Sequence, residues 1–206
     1  MIKNIIFDFG GVIYNIDHSL SKKAFEDLGV NNFEQLYGHQ VQTGLFEQLE
    51  RGEINEQDFR KAIAKFLDKG STAEQIDRAW CALLVGFDSK IIDLLLEIRK
   101  NYRIYLLSNT NIIHARQFIA EINKYSDFLS LFDDVWLSHE KQMRKPEKDF
   151  YLGLINEHEM ELEETLFIDD LDINIVAAKK VGIQTYYLSN GQSVINLFKD
   201  GQLILP

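Results

Sequence analysis

The sequence predicts an α/β protein with a doubly wound parallel sheet and a small all-helical cap inserted after the first strand. Two observations predict this class. An almost continuous apolar run over residues 3–9 is typical of a strand that is buried on both faces of a parallel sheet. After Asp88, helix-like and strand-like segments alternate along the chain, as they do in βαβ units with right-handed crossovers.

The individual elements follow from the spacing of apolar residues. We predict helices over residues 90–100, 111–123, 146–158 and 173–181, and strands over 103–107, 134–137, 165–168 and 184–188. Between residues 17 and 85 the spacing is helical only, with Asn55 as a helix start. The predicted domains are therefore residues 1–16 and 86–206 for the α/β core and residues 17–85 for the cap. Because no Gly-rich or charged linker separates them, we expect the cap to pack on the core.

Composition limits the function classes. The 206 residues suffice for one buried core plus a smaller lobe. The formal net charge of −10, without a cluster of Lys or Arg, argues against binding to nucleic acid or to an anionic membrane. Neither a secretory leader nor an apolar run of about 20 residues occurs, so we expect a cytoplasmic protein. Cys81 is the single cysteine, and its neighbours predict a buried position inside a helix.

Ligands of open parallel sheets bind along the edge formed by the carboxyl ends of the strands, so the residues that end each strand deserve inspection. Asp8 follows the first apolar run, where a buried carboxylate needs compensation. A turn-capping aspartate before Gly10 is the alternative interpretation. Ser108 and Asn109 end another strand just before a helix, which predicts an anion site, although the same string is also a good helix cap.

Two further strand ends carry charged residues. Lys145 precedes Pro146, which we predict at the first helical position, and an ammonium beside the positive end of a helix suggests a bound anion. The alternative is a solvated lysine, and neighbouring Arg144 is expected in solvent. Asp169 and Asp170 follow the strand over 165–168, where adjacent acids repel one another unless a cation lies between them. Oxygen ligands favour Mg²⁺, while turn or capping acids are the alternative.

Together these residues resemble the motifs of the haloacid dehalogenase (HAD) superfamily, in the same chain order and over essentially the whole chain. The string FDFGGVI from Phe7 is similar to the first motif, Ser108 to the second, Lys145 to the third and the string FIDD to the fourth. The resemblance implies a phosphatase with a Mg²⁺ cofactor, acting on a small phosphorylated metabolite. It implies that Asp8 attacks phosphorus and that Ser108, Asn109 and Lys145 hold the phosphoryl oxygens. It further implies that Asp8, the Gly10 carbonyl and Asp170 ligate Mg²⁺, with Asp169 acting through a water; which of the two acids touches the metal stays open.

The sequence departs from the commonest pattern at Gly10, where the family usually has an aspartate that serves as general acid/base. Loss of such a group lowers a rate by roughly 10²–10⁴. Asp17, a cap residue or a water could supply the proton instead. A subgroup with a DxGxV first motif, an SNT second motif and MRKPE before the third helix includes sugar-phosphate phosphatases, among them glucose-1-phosphate phosphatases. Residues 8–12, 108–110 and 143–147 reproduce these strings.

Other functions stay open at this stage. A silent module that binds a phosphometabolite would explain Gly10, a haloacid dehalogenase would not need the acidic pair, and a receiver domain would not need the long helical insert.

The turn over residues 50–54, with Arg51 and Gly52, and the ring of Trp80 could face the substrate, but a helix-connecting turn and a core aromatic are the simpler interpretations. The histidines His18, His39, His114, His139 and His158 show no ligand spacing. The chain is expected to be a monomer or a small homo-oligomer.

Overall fold

A parallel sheet forms the centre of the computed structural model, which describes residues 1–30, 44–67, 70–189 and 191–204. The described strands are numbered in chain order, and the second and third of them lie outside this sheet. The sheet contains β1 (Asn4–Phe7), β4 (Arg103–Ser108), β5 (Asp134–Leu137), β6 (Thr165–Asp169) and β7 (Gln184–Tyr187). They lie in the order β5-β4-β1-β6-β7, and every neighbouring pair is parallel. The predicted α/β class with a parallel sheet is therefore confirmed.

Both faces of the sheet are covered, because side chains alternate between two apolar clusters. Ile5 and Phe7 belong to the cluster on one face, and Ile6 belongs to the cluster on the other. The next strand alternates likewise, with Leu106 on the first face and Leu107 on the second. All five side chains are fully buried. The continuous apolar run thus marks the central strand, since a strand with two buried faces has no polar side.

The insert after β1 contains the short strand β2 (Asn15–Ile16) and the described helices α1 (His18–Asp27), α2 (Leu45–Glu50), α3 (Glu56–Ala64) and α4 (Ala73–Cys81). Asn55 caps α3 as predicted, because its side-chain oxygen accepts from the Asp58 N–H at 2.9 Å. Cys81 is buried at the end of α4, also as predicted. The helices share an apolar cluster around Trp80 that also contains Ile113 from the α/β part of the chain.

One part of the insert differs from the sequence prediction, which placed only helices between residues 17 and 85. Leu84–Gly86 forms strand β3, which pairs antiparallel with β2. The two chain passages that enter and leave the insert run side by side, so their backbone groups satisfy one another in a short ribbon. Helical spacing did not reveal this pairing because it joins residues about 70 positions apart.

The remaining helices are α5 (Lys90–Ile98), α6 (Ile112–Ile122), the short α7 (Ser138–Lys141), α8 (Lys148–Glu157) and α9 (Asp172–Val181). All four predicted helices therefore appear, with boundaries within two residues of those expected. None of the helices in the described ranges has the length and apolar composition that a bilayer crossing requires.

The prediction for the start of α8 was wrong. Pro146 does not occupy the first helical position, because a turn comes first: the N–H of Glu147 donates to the Arg144 carbonyl at 2.9 Å. The Lys145–Pro146 peptide bond is cis, and the helix begins at Lys148 with Glu147 as its N-cap. Lys145 therefore does not lie beside the first turn of a helix, and the charge that compensates its ammonium comes from elsewhere.

Candidate active site

The carboxyl ends of three neighbouring strands bring Asp8, Ser108 and Asp169 to one edge of the sheet. Phe7, the last residue of β1, is in register with Leu106 of β4 and with Ile168 of β6. Asp8 continues this alignment, since its N–H donates to the Ile168 carbonyl at 2.9 Å. The register of the central strand thus assembles the residues that the sequence placed at separate strand ends.

Lys145 reaches this edge from the loop before α8 and joins two of the carboxylates. Its Nζ lies 2.5 Å from Asp8 Oδ1 and 2.8 Å from Asp169 Oδ2. Lys145 is 2% exposed and Asp169 is fully buried. This burial excludes the alternative of a solvated lysine. A buried ammonium requires paired charges, and the two carboxylates supply them. Carboxylates, rather than an anion at a helix start, therefore compensate Lys145.

The charges of this cluster do not balance. Burial raises the pKa of Asp8 to about 7, against the opposing effect of Lys145, and the charges of Asp169 and Asp170 raise it further. Burial alone would lower the pKa of Lys145, but Asp8 and Asp169 outweigh it and raise that pKa. One ammonium faces three carboxylates, so the site favours an additional cation.

The two adjacent acids have different surroundings. Asp169 Oδ1 accepts hydrogen bonds from the Leu171 N–H at 2.8 Å and from Asn174 Nδ2 at 3.1 Å, while Lys145 and Asn174 contact its Oδ2. Asp170 is only half-buried, and its carboxylate lies directly against the backbone of Gly11, where a Cβ atom would be 2.2 Å from Oδ2. Gly11 has a φ of +79°, so a side chain is excluded there both by conformation and by space.

The donor atoms fit a small hard cation. One oxygen from each of Asp8, Asp169 and Asp170 lies within 4.8 Å of the others. Opposite ligands of an octahedral Mg²⁺ ion are about 4.2 Å apart, so these oxygens would need shifts of only a few tenths of an ångström, or an intervening water, to hold such an ion. All three candidate ligands are carboxylates, which Mg²⁺ prefers to nitrogen or sulfur donors.

Ser108 and Asn109 lie beside this cluster, but their side chains differ in role. The Asn109 side chain holds the backbone of Lys145: its Oδ1 accepts from the Lys145 N–H at 2.8 Å, and its Nδ2 donates to the Lys145 carbonyl at 2.9 Å. Asn111 caps α6, because its Oδ1 accepts from the N–H groups of Ile113 and His114. The helix-cap interpretation is therefore correct for Asn111, while Ser108 stays at the strand end next to Asp8.

A turn of the insert, residues 50–54, lies over the core loops. Ser138 Oγ lies 2.7 Å from the Glu50 carbonyl and 2.8 Å from the Thr110 carbonyl. Arg51 forms an ion pair with Glu147 in the loop that carries Lys145. A Cβ atom on Gly52 would lie 2.2 Å from the carbonyl oxygen of His139. The turn joins α2 to α3, in agreement with the simpler interpretation, and its residues Arg51 and Gly52 also contact the core.

A cavity of about 90 Å³ lies between the insert and the edge of the sheet. The loop after β1 and the end of β4 line it with Gly10, Ser108 and Asn109, and the insert contributes Glu50 and Trp80. Trp80 is 3% exposed and packs against Phe46 and Phe59, so it is a core aromatic as expected, with one edge on this cavity.

Other sequence candidates lie elsewhere. Asp17 caps α1 by accepting from the Ser19 N–H at 2.9 Å and does not line the cavity. The prediction that Arg144 points into solvent was wrong, because its guanidinium pairs with the Glu50 carboxylate at 3.1 Å. His39 lies outside the described residues.

Sequence reasoning missed Asn174, and it named the turn over residues 50–54 as a candidate without singling out Glu50 within it. Asn174 is 3% exposed and donates from Nδ2 to both oxygens of Asp169. A polar residue within the first turn of the helix that follows an acidic pair could have signalled this contact. Glu50 gives no such signal, because only the folding of the insert over the sheet brings it to the cavity.

A parallel sheet that gathers three carboxylates, a buried lysine and a hydroxyl near its strand ends defines a class of α/β enzymes with an acidic site at the sheet edge. The family model described as haloacid dehalogenase-like hydrolase matches residues 2–182. The chain belongs to this family, and the family resemblance of its motifs is thereby confirmed.

Individual proteins show the same similarity. The D-ribitol-5-phosphate phosphatase of Bacteroides thetaiotaomicron is 34% identical over 93% of this chain and 94% of its own length. A HAD family enzyme from the same organism, solved with magnesium and inorganic phosphate, has a TM-score of 0.89 at 35% identity and covers 97% of this chain and 100% of that chain. The L-2-haloacid dehalogenase of Xanthobacter autotrophicus has a TM-score of 0.61 at 20% identity, covering 91% of this chain and 78% of that chain, and shares the fold.

Proposed function

We propose that this chain is a Mg²⁺-dependent phosphatase that hydrolyses a small phosphorylated metabolite, a sugar or polyol phosphate. The observation that carries the proposal is Lys145 buried between Asp8 and Asp169 beside a third carboxylate. The relative named as a D-ribitol-5-phosphate phosphatase, which matches nearly the whole chain, supports the substrate class. The similar structure that contains magnesium and inorganic phosphate supports the cofactor.

Asp8 acts as the nucleophile in this proposal. Lys145 holds Oδ1 of Asp8, which orients the carboxylate and lowers its repulsion toward a phosphate dianion. The second oxygen attacks phosphorus, and an aspartyl-phosphate forms that water then hydrolyses. Ser108 and the backbone N–H of Asn109 bind the phosphoryl oxygens, while the Asn109 side chain keeps Lys145 in place. Excluding bulk water from the cavity strengthens each of these interactions.

Mg²⁺ would be held by Asp8, the Gly10 carbonyl and Asp170. When bound, it would neutralise the excess of carboxylates and the charge on the phosphoryl group. Asp170 is the better direct ligand of the adjacent pair, because the oxygens of Asp169 already accept from Lys145, Asn174 and a backbone N–H. Asp169 positions Lys145 and would reach the metal through a water.

The division into a core of residues 1–16 and 86–206 and a cap of residues 17–85 is part of the proposal. The separate apolar cluster around Trp80 supports it. A cytoplasmic location and a monomeric or small homo-oligomeric state remain predictions.

The competing functions differ in their requirements. A dehalogenase has no use for a divalent cation, and the cluster of three carboxylates argues against it. A silent binding module is favoured by Gly10, which has no proton to give. Such a module would bind phosphometabolites without turnover.

The test is a screen of phosphorylated sugars and polyols, nucleotides and flavin mononucleotide, with and without Mg²⁺. We expect phosphate release that requires Mg²⁺ and disappears in Asp8→Asn, whereas Asp172→Asn, an exposed acid close by, retains it. Undiminished release by Asp8→Asn would exclude this nucleophile. Metabolite binding without any turnover would favour the silent module, and metal-independent chloride release from a haloacid would favour the dehalogenase.

The assignment of the acidic pair has its own test. Asp170→Asn is expected to raise the Mg²⁺ concentration needed for half-maximal activity. Asp169→Asn is expected to lower kcat with a smaller change in that concentration. The reverse pattern in a Mg²⁺ titration would exchange the two roles.

A further inference from the structure

Hydrolysis of an aliphatic phosphate ester requires a proton donor for the leaving group, and the residues proposed above do not provide one. An alkoxide is a strong base, so its departure from phosphorus is slow unless a proton reaches the ester oxygen as the bond breaks. Asp8 is occupied as nucleophile, the ammonium of Lys145 is held between two carboxylates, and Gly10 has no side chain. This inference rests on the proposed phosphatase function.

The cavity between the insert and the sheet is where such a leaving group would lie. Gly10, Ser108 and Asn109 line one side of it, so the cavity adjoins the residues that we propose to bind the phosphoryl group. Its volume of about 90 Å³ compares with roughly 10–15 Å³ for holding one water, which leaves room for several non-hydrogen atoms.

Three titratable residues line this cavity in the described part of the chain: His18, Glu50 and His114. Both ring nitrogens of His114 are engaged, 3.1 Å from Asn111 Nδ2 and 3.1 Å from the Trp80 carbonyl. Burial also holds the pKa of His114 at about 4, so it has no proton to donate at neutral pH. His18 is exposed to solvent at the start of α1. Glu50 is the carboxyl group among these lining residues.

The position of Glu50 is fixed by the core. Its carbonyl accepts a hydrogen bond from Ser138 Oγ, and its carboxylate lies 3.1 Å from Nη2 of Arg144, the residue that precedes Lys145. Only 23% of its side chain is exposed. These contacts hold the carboxyl group at the end of α2 against the loops that carry the phosphate-binding residues.

Burial favours the protonated form of this carboxyl group. Burial raises the pKa of Glu50, and the neighbouring Glu47 raises it further. Arg144, Arg51 and Lys145 oppose this effect, but the net direction is upward. A raised pKa brings a carboxylic acid closer to the range in which it both gives and accepts a proton near neutral pH.

We propose that Glu50 is the general acid and base of the reaction, supplied by the insert in place of the missing side chain at Gly10. In the first step an Asp8 oxygen forms a bond to phosphorus, the bond from phosphorus to the ester oxygen breaks, and that oxygen takes the Glu50 proton as its electron pair arrives. In the second step a water oxygen attacks the aspartyl-phosphate, the bond to Asp8 breaks with its electron pair returning to the carboxylate, and Glu50 accepts the water proton.

The experiment compares esters with different leaving groups in wild type, Glu50→Gln and the control Glu47→Gln. Glu47 pairs with Arg51 and Arg144 as Glu50 does with Arg144, but it does not line the cavity. With D-ribitol 5-phosphate, or the aliphatic ester that the screen shows to be turned over fastest, Glu50→Gln is expected to lose about 10²–10⁴-fold in kcat. With p-nitrophenyl phosphate, whose phenolate departs without a proton, the loss should be much smaller. The alkaline limb of the pH–kcat profile for the aliphatic ester should also disappear.

Each other outcome overturns the assignment. Equal losses with both esters would make Glu50 a positioning residue, and an unchanged kcat would remove it from the reaction. The selective loss appearing in His18→Gln instead would transfer the role to His18. If Glu47→Gln matched Glu50→Gln, the effect would come from the ion pairs with the arginines. Failure of the proposed function itself is recognised separately, because wild type would then hydrolyse neither ester.

Discussion

The hydrogen bonds from Asn109 to the backbone of Lys145 should be measurable in both stability and activity. Asn109→Ala leaves the Lys145 N–H and carbonyl without the partners that lie at 2.8 and 2.9 Å. Each unpaired buried group costs about 1–3 kcal/mol, or about 2–6 kcal/mol for both. Water entering the vacated space recovers part of this cost, so we expect a loss of about 2–4 kcal/mol in the free energy of unfolding. For a chain of this size that lowers Tm by roughly 5–15 °C.

Urea unfolding followed by circular dichroism measures the stability, and phosphate release measures the activity. Because Lys145 loses its fixed position, kcat should fall by up to about 10²-fold. The control is Asn101→Ala, which removes one hydrogen bond, to the Gly201 carbonyl at 3.1 Å, far from the site. It should cost about 1 kcal/mol and leave kcat unchanged. If Asn109→Ala retained both the wild-type unfolding free energy and the wild-type kcat, Asn109 would not be holding Lys145.

Two further predictions concern His114 and Gly11. Burial lowers the pKa of His114 from 6.5 to about 4, so between these pH values the unfolded chain binds a proton that the folded chain does not. Stability therefore falls as pH drops through this window, and wild type should lose up to about 3 kcal/mol more than His114→Gln in urea titrations across it. Parallel curves for the two proteins would contradict this. Gly11→Ala places a Cβ atom at a φ of +79° and 2.2 Å from Asp170 Oδ2, so it should destabilise the fold by about 1–3 kcal/mol and weaken Mg²⁺ activation. An alanine variant with normal Mg²⁺ dependence would show that Asp170 does not need this approach.

Local sequence patterns were sufficient for the sheet and for most of its helices, and for a physical reason. A strand buried on both faces must be apolar throughout, and residues 3–9 meet that requirement almost completely. The end of such a strand is a poor place for a carboxylate, which is why Asp8 and Asp169 stood out. The start of α8 was predicted incorrectly because a proline is equally compatible with the first position of a helix and with a turn that precedes the helix. The sequence around Pro146 does not distinguish these two positions.

The sequence by itself determined the class of fold, the family and the residue types that gather at the sheet edge, because each of these depends on contacts within a strand, a turn or a motif. Tertiary structure alone decided how those residues contact one another. The full hydrogen bonding of Asp169 separates it from Asp170, and the Asn109 side chain serves Lys145. The arrival of Glu50 at the cavity likewise requires α2 to fold over a sheet whose nearest strand end at the site, that of β1, lies about 40 residues away along the chain. Such contacts depend on the packing of distant segments, which no local pattern encodes.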